Sequence, residues 1–162
     1  MRRSVMKVQA VDPRIDTGGP LAGAQFSDAY SIAIKETALD ARQAAERMLG
    51  RGPRWIDWLL ALRNFLVRPL GLKTGASNQP FAADSIGIFP VVSETPHRLV
   101  AGFDDKHLDF RVVVDVAARD HGQCITATTL VLTHNPLGRI YLAVILPFHR
   151  LVVRAMLRQV AG

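Results

Sequence analysis

The chain of 162 residues has one cysteine, Cys124. No intrachain disulfide can form, so packing must hold the fold, which suits a reducing compartment. Long apolar runs are also scarce. The longest, Ile140–Phe148, has nine residues and is closed by Arg139 and Arg150, whereas a bilayer core needs about 20. The basic start "MRRSVMK" is not followed by the apolar stretch of roughly 7–15 residues that a secretory signal requires, because Lys7, Gln9 and Asp12 interrupt it. The expected location is cytoplasmic, with membrane-peripheral attachment as the variant. GxGxxG after a strand and GxSxG are missing too, which removes the usual dinucleotide cradle and the nucleophile elbow. No cofactor, no metal and no catalytic residue is expected.

Hydrophobic residues make up 49% and charged residues 21% of the chain, a globular balance without the signature of disorder. A domain of this length buries about 70% of its unfolded surface. The net charge of +6 is uneven. Residues 40–73 hold seven Lys/Arg against three acids, and residues 122–162 hold four Arg and no acid; residues 74–121 reverse this with seven acids against four bases. Such asymmetry can attract anions. The basic stretches lack an aromatic stacking platform, so nucleic acid is not expected.

Residues 1–26 contain Asp-Pro and Gly-Gly-Pro without a sustained period and read as an arm or loop; residues 27–162 read as a single domain. "AYSIAI" (Ala29–Ile34) alternates as a short strand with one buried face. Thr37, three residues before Asp40, suggests a capped helix ending at Gly50. Pro53 opens a second short helix in which Trp55, Leu59, Leu62, Phe65 and Leu66 form one stripe. From residue 86 the period becomes two, giving strands over 86–93, 98–103, 107–117 and 123–133 joined by short hairpins. Parity places Ile88/Val92, Leu99/Ala101/Phe103 and Leu108/Phe110/Val112/Val114 on one apolar face. "CITATTLVLTH" is apolar on both parities, so either Thr126/Thr128 or Ala127/Thr129 points inward.

After Asn135-Pro136 the pattern is helical. Tyr141, Ile145, Phe148, Val152 and Met156 form one stripe, and Arg150, Arg154 and Arg158 another near the negative end of the helix dipole. Pro147 costs this helix about 3 kcal/mol. Burial of five or six large side chains, at about 1.5–3 kcal/mol each, outweighs that. A long core helix over a one-sided antiparallel sheet is therefore expected, with an apolar space between them.

This order resembles the START-like, or helix-grip, α+β fold: a curved antiparallel sheet, two short helices and a long C-terminal helix. The motifs "GPRWIDWLLALRNFLVRPLGLKTG", "GFDDKHLDFRVVVDV" and "THNPLGRIYLAVILPFHRLVVRAMLR" resemble a bacterial family of unknown function. Its members occur alone or behind an NAD(P)-binding epimerase-like domain that this chain does not show. The resemblance spans about residues 26–160 and carries no assigned chemistry. A full helix-grip sheet has more strands than those above, and residues 1–27 and 71–85 are where further strands would fall.

Few residues invite a chemical reading. Asp105, His107, Asp109 and Arg111 alternate along one strand in a pattern open to metal ligation, but parity turns them away from Phe110 and Val112, where cross-strand charge pairing is the plainer account. His149 sits at the margin of the helix's apolar stripe and reads as a packed or hydrogen-bonded edge histidine. His134-Asn135 suits a helix cap. Cys124 reads as an inert thiol, and the phenols of Tyr30 and Tyr141 need partners if buried.

The leading expectation is a domain that binds an apolar small molecule or lipid, lined by Phe103, Phe110, Val112, Tyr141, Ile145 and Phe148, with Tyr141 as the polar contact. A second is a peripheral membrane or partner-binding module using Arg63, Arg68, Arg150, Arg154 and Arg158. A third, a cyclase-like enzyme, requires a titratable group on the inward face, which these parities leave almost empty. A binding role is favoured over an enzymatic one.

Overall fold

The computed structural model describes residues 6–13, 19–35, 38–50, 68, 84–87, 89–104 and 106–162. Their elements run β1 (Gln9–Val11), β2 (Phe26–Ile34), α1 (Ala41–Leu49), β3 (Ser85–Ile86), β4 (Phe89–Glu94), β5 (Arg98–Asp104), β6 (Leu108–Arg119), β7 (Gly122–Thr133) and α2 (Pro136–Val160). The strands form one antiparallel sheet in the order β1-β2-β7-β6-β5-β4-β3. The curved sheet and long terminal helix are the α+β arrangement expected from the sequence. The second short helix expected after Pro53 lies outside the described residues.

Strand pairing fixes the faces. Leu99, Val114 and Ala127 stand opposite one another across β5, β6 and β7, and Ala127 stands opposite Tyr30 of β2. These side chains share one core with Ile32, Ile34, Ile125, Val112 and the helices. Ala127 and Thr129 are therefore the inward residues of β7. The outward face is apolar as well, because Val100, Val113 and Leu130 form a second core covered by Leu21 and Ala24. That is why β7 read as apolar on both parities. Within the stretch expected as an arm or loop, Gln9–Val11 form the edge strand β1, and Leu21 and Ala24 supply this outer cover.

The first meander strand differs from its expected form. Gly87, at φ +59°, where an added Cβ would meet the Leu49 carbonyl at 2.9 Å, separates β3 from β4. A register shift between Val91 and Ser93 then re-aims β4. Phe89 and Val91 pack on the core and Val92 is 53% exposed, so the expected inward place of Val92 is corrected.

α1 begins one turn later than Thr37 suggested. Asp40 is its N-cap: Asp40 Oδ1 accepts from Gln43 N–H at 2.8 Å, and Gln43 Oε1 accepts from Asp40 N–H at 3.1 Å. Ala41, Ala44, Ala45 and Met48 are buried, and three of the four are alanines, which let the helix lie close to its neighbours. Arg42 extends from it to both Asp84 and Glu94, with Nε donating to Glu94 Oε1 at 2.8 Å and Nη1 to Asp84 Oδ1 at 3.0 Å. This clamp fastens α1 to the β3–β4 edge.

α2 is continuous through Pro147 and is capped by Asn135, whose Oδ1 accepts from Gly138 N–H at 3.0 Å. Asn135 Nδ2 lies 2.8 Å from His107 Nδ1, so the cap is itself tied to the start of β6. Gly138 fits against the same place. A Cβ there would meet the His107 carbonyl oxygen at 2.2 Å. The far end of the helix is held by Val153, Leu157 and Val160, all buried. At about 1.5–3 kcal/mol each, these three offset the roughly 3 kcal/mol cost of Pro147.

Candidate functional site

Between those two fixed ends, no residue from 139 to 152 is fully buried. The helix face in this interval is set by His149, whose Nε2 lies 3.2 Å from Asp28 Oδ1 on β2. Tyr141 and Ile145 lie two turns and one turn before His149, on the same sheet-facing side. Both are half-buried, as are Leu142 and Leu146.

Three phenylalanines on β4, β5 and β6 form an aromatic patch on the inward face. The Phe103 and Phe110 rings stack with centroids 5.6 Å apart, and Phe89 stacks on them at 6.3 and 5.5 Å. All three are half-buried. Phe103 stands directly opposite Phe110 in the pairing, and the next inward pair is Ala101 and Val112, both buried. Cross-strand aromatic pairing accounts for the local strand preference.

Of the six residues expected to line a site, Phe103, Phe110 and Val112 therefore share the sheet's inward face, and Tyr141 and Ile145 share the facing side of α2. Phe148 does not join them. It is 50% exposed, about 100° round the helix from His149. The expected stripe was rotated: a spacing of 4, 3, 4, 4 from Tyr141 fits the buried side only approximately, and the fully buried seam runs instead through Val153, Leu157 and Val160.

Asp28 was missed in the sequence because β2 was read from Ala29 onward. Alternation was the available signal, since Asp28, Tyr30, Ile32 and Ile34 fall on one parity. With His149 it places two titratable groups on the inward side, contrary to the expectation that this face holds almost none. The carboxylate and imidazole side chains are 19% and 16% exposed, and Phe26 meets the imidazole edge-on at 6.2 Å. An imidazole oriented by a carboxylate is a general-base arrangement. Here the imidazole Nε2 faces the carboxylate, and Asp28 Oδ2 is buried without a hydrogen-bond partner among the described residues. The pair tethers helix to strand.

The other polar residues are engaged structurally. Arg98 Nε donates to Asp115 Oδ1 at 2.6 Å directly across β5 and β6. His134 Nε2 lies 3.0 Å from Asp109 Oδ1, and Arg111 Nη1 lies 2.7 Å from Asp104 Oδ1 while donating to the Phe103 and Phe110 carbonyls. His107 is buried beside Asn135 rather than on a strand face. No group of three or more His, Cys, Asp or Glu residues among those described is arranged for a metal. Cys124 is half-buried on the outward parity of β7. Arg68, Arg150, Arg154 and Arg158 are exposed, with Arg154 lying 5.3 Å over the Tyr30 ring; Arg63 lies outside the described residues.

The family model described as protein of unknown function, DUF2867, matches residues 20–156. The chain belongs to the DUF2867 family. No curated protein matches it. A crystal structure of a Rhodobacter sphaeroides protein from a structural-genomics consortium is similar at 12% identity and a TM-score of 0.39, covering 96% of this chain and 95% of that one. The family match covers β2 to β7 and most of α2.

Proposed function

We propose that this DUF2867 protein binds an apolar small molecule or lipid between α2 and the inward face of the sheet, as a START-like binding domain. The observation that carries the reading is the contrast along α2: Gly138 at one end and Val153, Leu157 and Val160 at the other are buried, while the sheet-facing Tyr141, Leu142, Ile145 and Leu146 between them are only half-buried, on a sheet whose inward face also carries the half-buried aromatic patch. A helix that served only to close the core would bury its sheet-facing residues throughout. Apolar surface left partly open within a concave, rigid frame is the usual form of a small-molecule site. Phe103, Phe110, Val112, Tyr141 and Ile145 supply shape and burial.

The test uses the fluorescence of N-phenyl-1-naphthylamine, a neutral apolar dye that brightens on leaving water. The dye is expected to bind wild type, to be lost on Ile145→Trp, which fills the interval, and to be retained on Phe148→Asp on the opposite side of the helix. Loss on Phe148→Asp with retention on Ile145→Trp would move the binding surface outside and refute the reading. No binding to wild type would refute it as well.

A further inference from the structure

The outward side of α2 differs from the rest of the described surface. Ile140, Val144, Phe148 and Leu151 recur at intervals of four, four and three, so they form one stripe. They are 62%, 66%, 50% and 60% exposed, and the other exposed large hydrophobics among the described residues are Val11 at 37% and Val92 at 53%, each on a separate strand. Ala143 and Pro147 lie exposed beside them. In the most apolar 18-residue window of the helix, only 11% is buried. Toward the C-terminus Arg158 continues this side, while Arg154 and Arg150 lie at its flank, Arg150 about 100° round from Leu151; all three are exposed. The helix contains no aspartate or glutamate.

Length and hydropathy alone would let α2 cross a membrane, but its opposite side belongs to the protein. Val153, Leu157 and Val160 are in the core, His149 is held by Asp28, and Gly138 abuts the His107 carbonyl. Such a helix can only lie flat. An apolar stripe that continues into a run of one charge is the form of a helix that rests in a bilayer interface, its apolar residues reaching about 5–10 Å inward and its arginines meeting phosphates.

We infer that α2 docks this protein on an anionic lipid bilayer, with Ile140, Val144, Phe148 and Leu151 entering the interface and Arg150 and Arg158 binding lipid phosphates. Arg154 already lies over Tyr30 and contributes less. A second copy of the chain fits this surface poorly. A parallel two-fold pairing of α2 would set two arginine runs side by side, and an antiparallel one would give neither run a carboxylate to meet, since the helix carries none.

Sedimentation of the full chain with vesicles of phosphatidylcholine, with and without phosphatidylglycerol, tests the inference. Wild type is expected to co-sediment with the anionic vesicles and to be released as salt is raised. Val144→Asp with Phe148→Asp should abolish binding to both vesicle types. Arg150→Gln with Arg158→Gln should weaken binding to the anionic vesicles by about 25-fold, at roughly 1 kcal/mol per arginine, and leave weak binding to phosphatidylcholine unchanged. All four positions are exposed, so far-UV circular dichroism should show both variants folded. Wild type remaining in solution with anionic vesicles would overturn the inference, as would undiminished binding by the Val144→Asp/Phe148→Asp variant. A dimer dissociated by that variant, without vesicle binding, would give the stripe to a second copy and overturn it too.

Discussion

Asp28 and His149 meet where helix and sheet are otherwise loosely joined, and the carboxylate's second oxygen has no donor. Removing the imidazole leaves a mostly buried carboxylate without compensation, which costs about 1–3 kcal/mol. His149→Ala should therefore lower stability by that amount in urea unfolding, while Asp28→Val combined with His149→Leu should recover much of the loss by removing both polar groups. A second sensitive residue is Gly138. The Cβ of Gly138→Ala would have to displace a backbone carbonyl rather than a side chain, so a loss of about 1–3 kcal/mol is expected, read as a shifted urea midpoint at unchanged slope. The two residues differ in how far they were legible beforehand. Gly138 gave no sequence signal, because close approach of β6 to the helix start is a tertiary fact. Asp28 was readable from alternation alone, but a polar residue at the end of a short apolar run looks like a loop.

Elements were more legible than their edges. The meander, the Asn135 cap and the continuity of α2 through Pro147 follow from periodicity and local chemistry. The position of α1 does not, because Thr37 and Asp40 both offer a capping side chain and only Gln43 at the third helical position decides for Asp40. The parity of β4 was lost to its register shift, and that of β7 to the second core under Leu21 and Ala24. The α1 clamp gives an element-level prediction. Arg42 holds both Asp84 and Glu94 below their ordinary values of 3.8 and 4.5, mainly by hydrogen bonding, and Asp84 and Glu94 in turn raise Arg42. Carboxylates with depressed folded-state values stabilise above their unfolded values, and that contribution fades as pH falls through the folded ones. The difference in thermal midpoint between wild type and Arg42→Met should thus be constant near neutral pH and shrink as pH drops below the carboxylate range. Pro147→Ala should raise the midpoint, since the carbonyl of Ala143 regains its donor, with a gain in stability of up to about 3 kcal/mol.

At the scale of the whole molecule, one helix presents two unlike sides over the same interval. One faces β2 and β7 with half-buried side chains, and the other offers apolar residues to the outside with arginines at its C-terminal end. The sequence reading merged these sides by placing Phe148 with Tyr141 and Ile145, because a stripe spaced 4, 3, 4, 4 is compatible with either side until a partner such as Asp28 fixes the rotation. On the proposed reading, the inward side takes the ligand. A titration of the 17.8 kDa protein with N-phenyl-1-naphthylamine, followed by amide and methyl chemical shifts, reads that side residue by residue. The account predicts the largest shifts at Phe103, Phe110, Val112, Tyr141 and Ile145. Shifts confined to Ile140, Val144 and Leu151, or none at all, would contradict it.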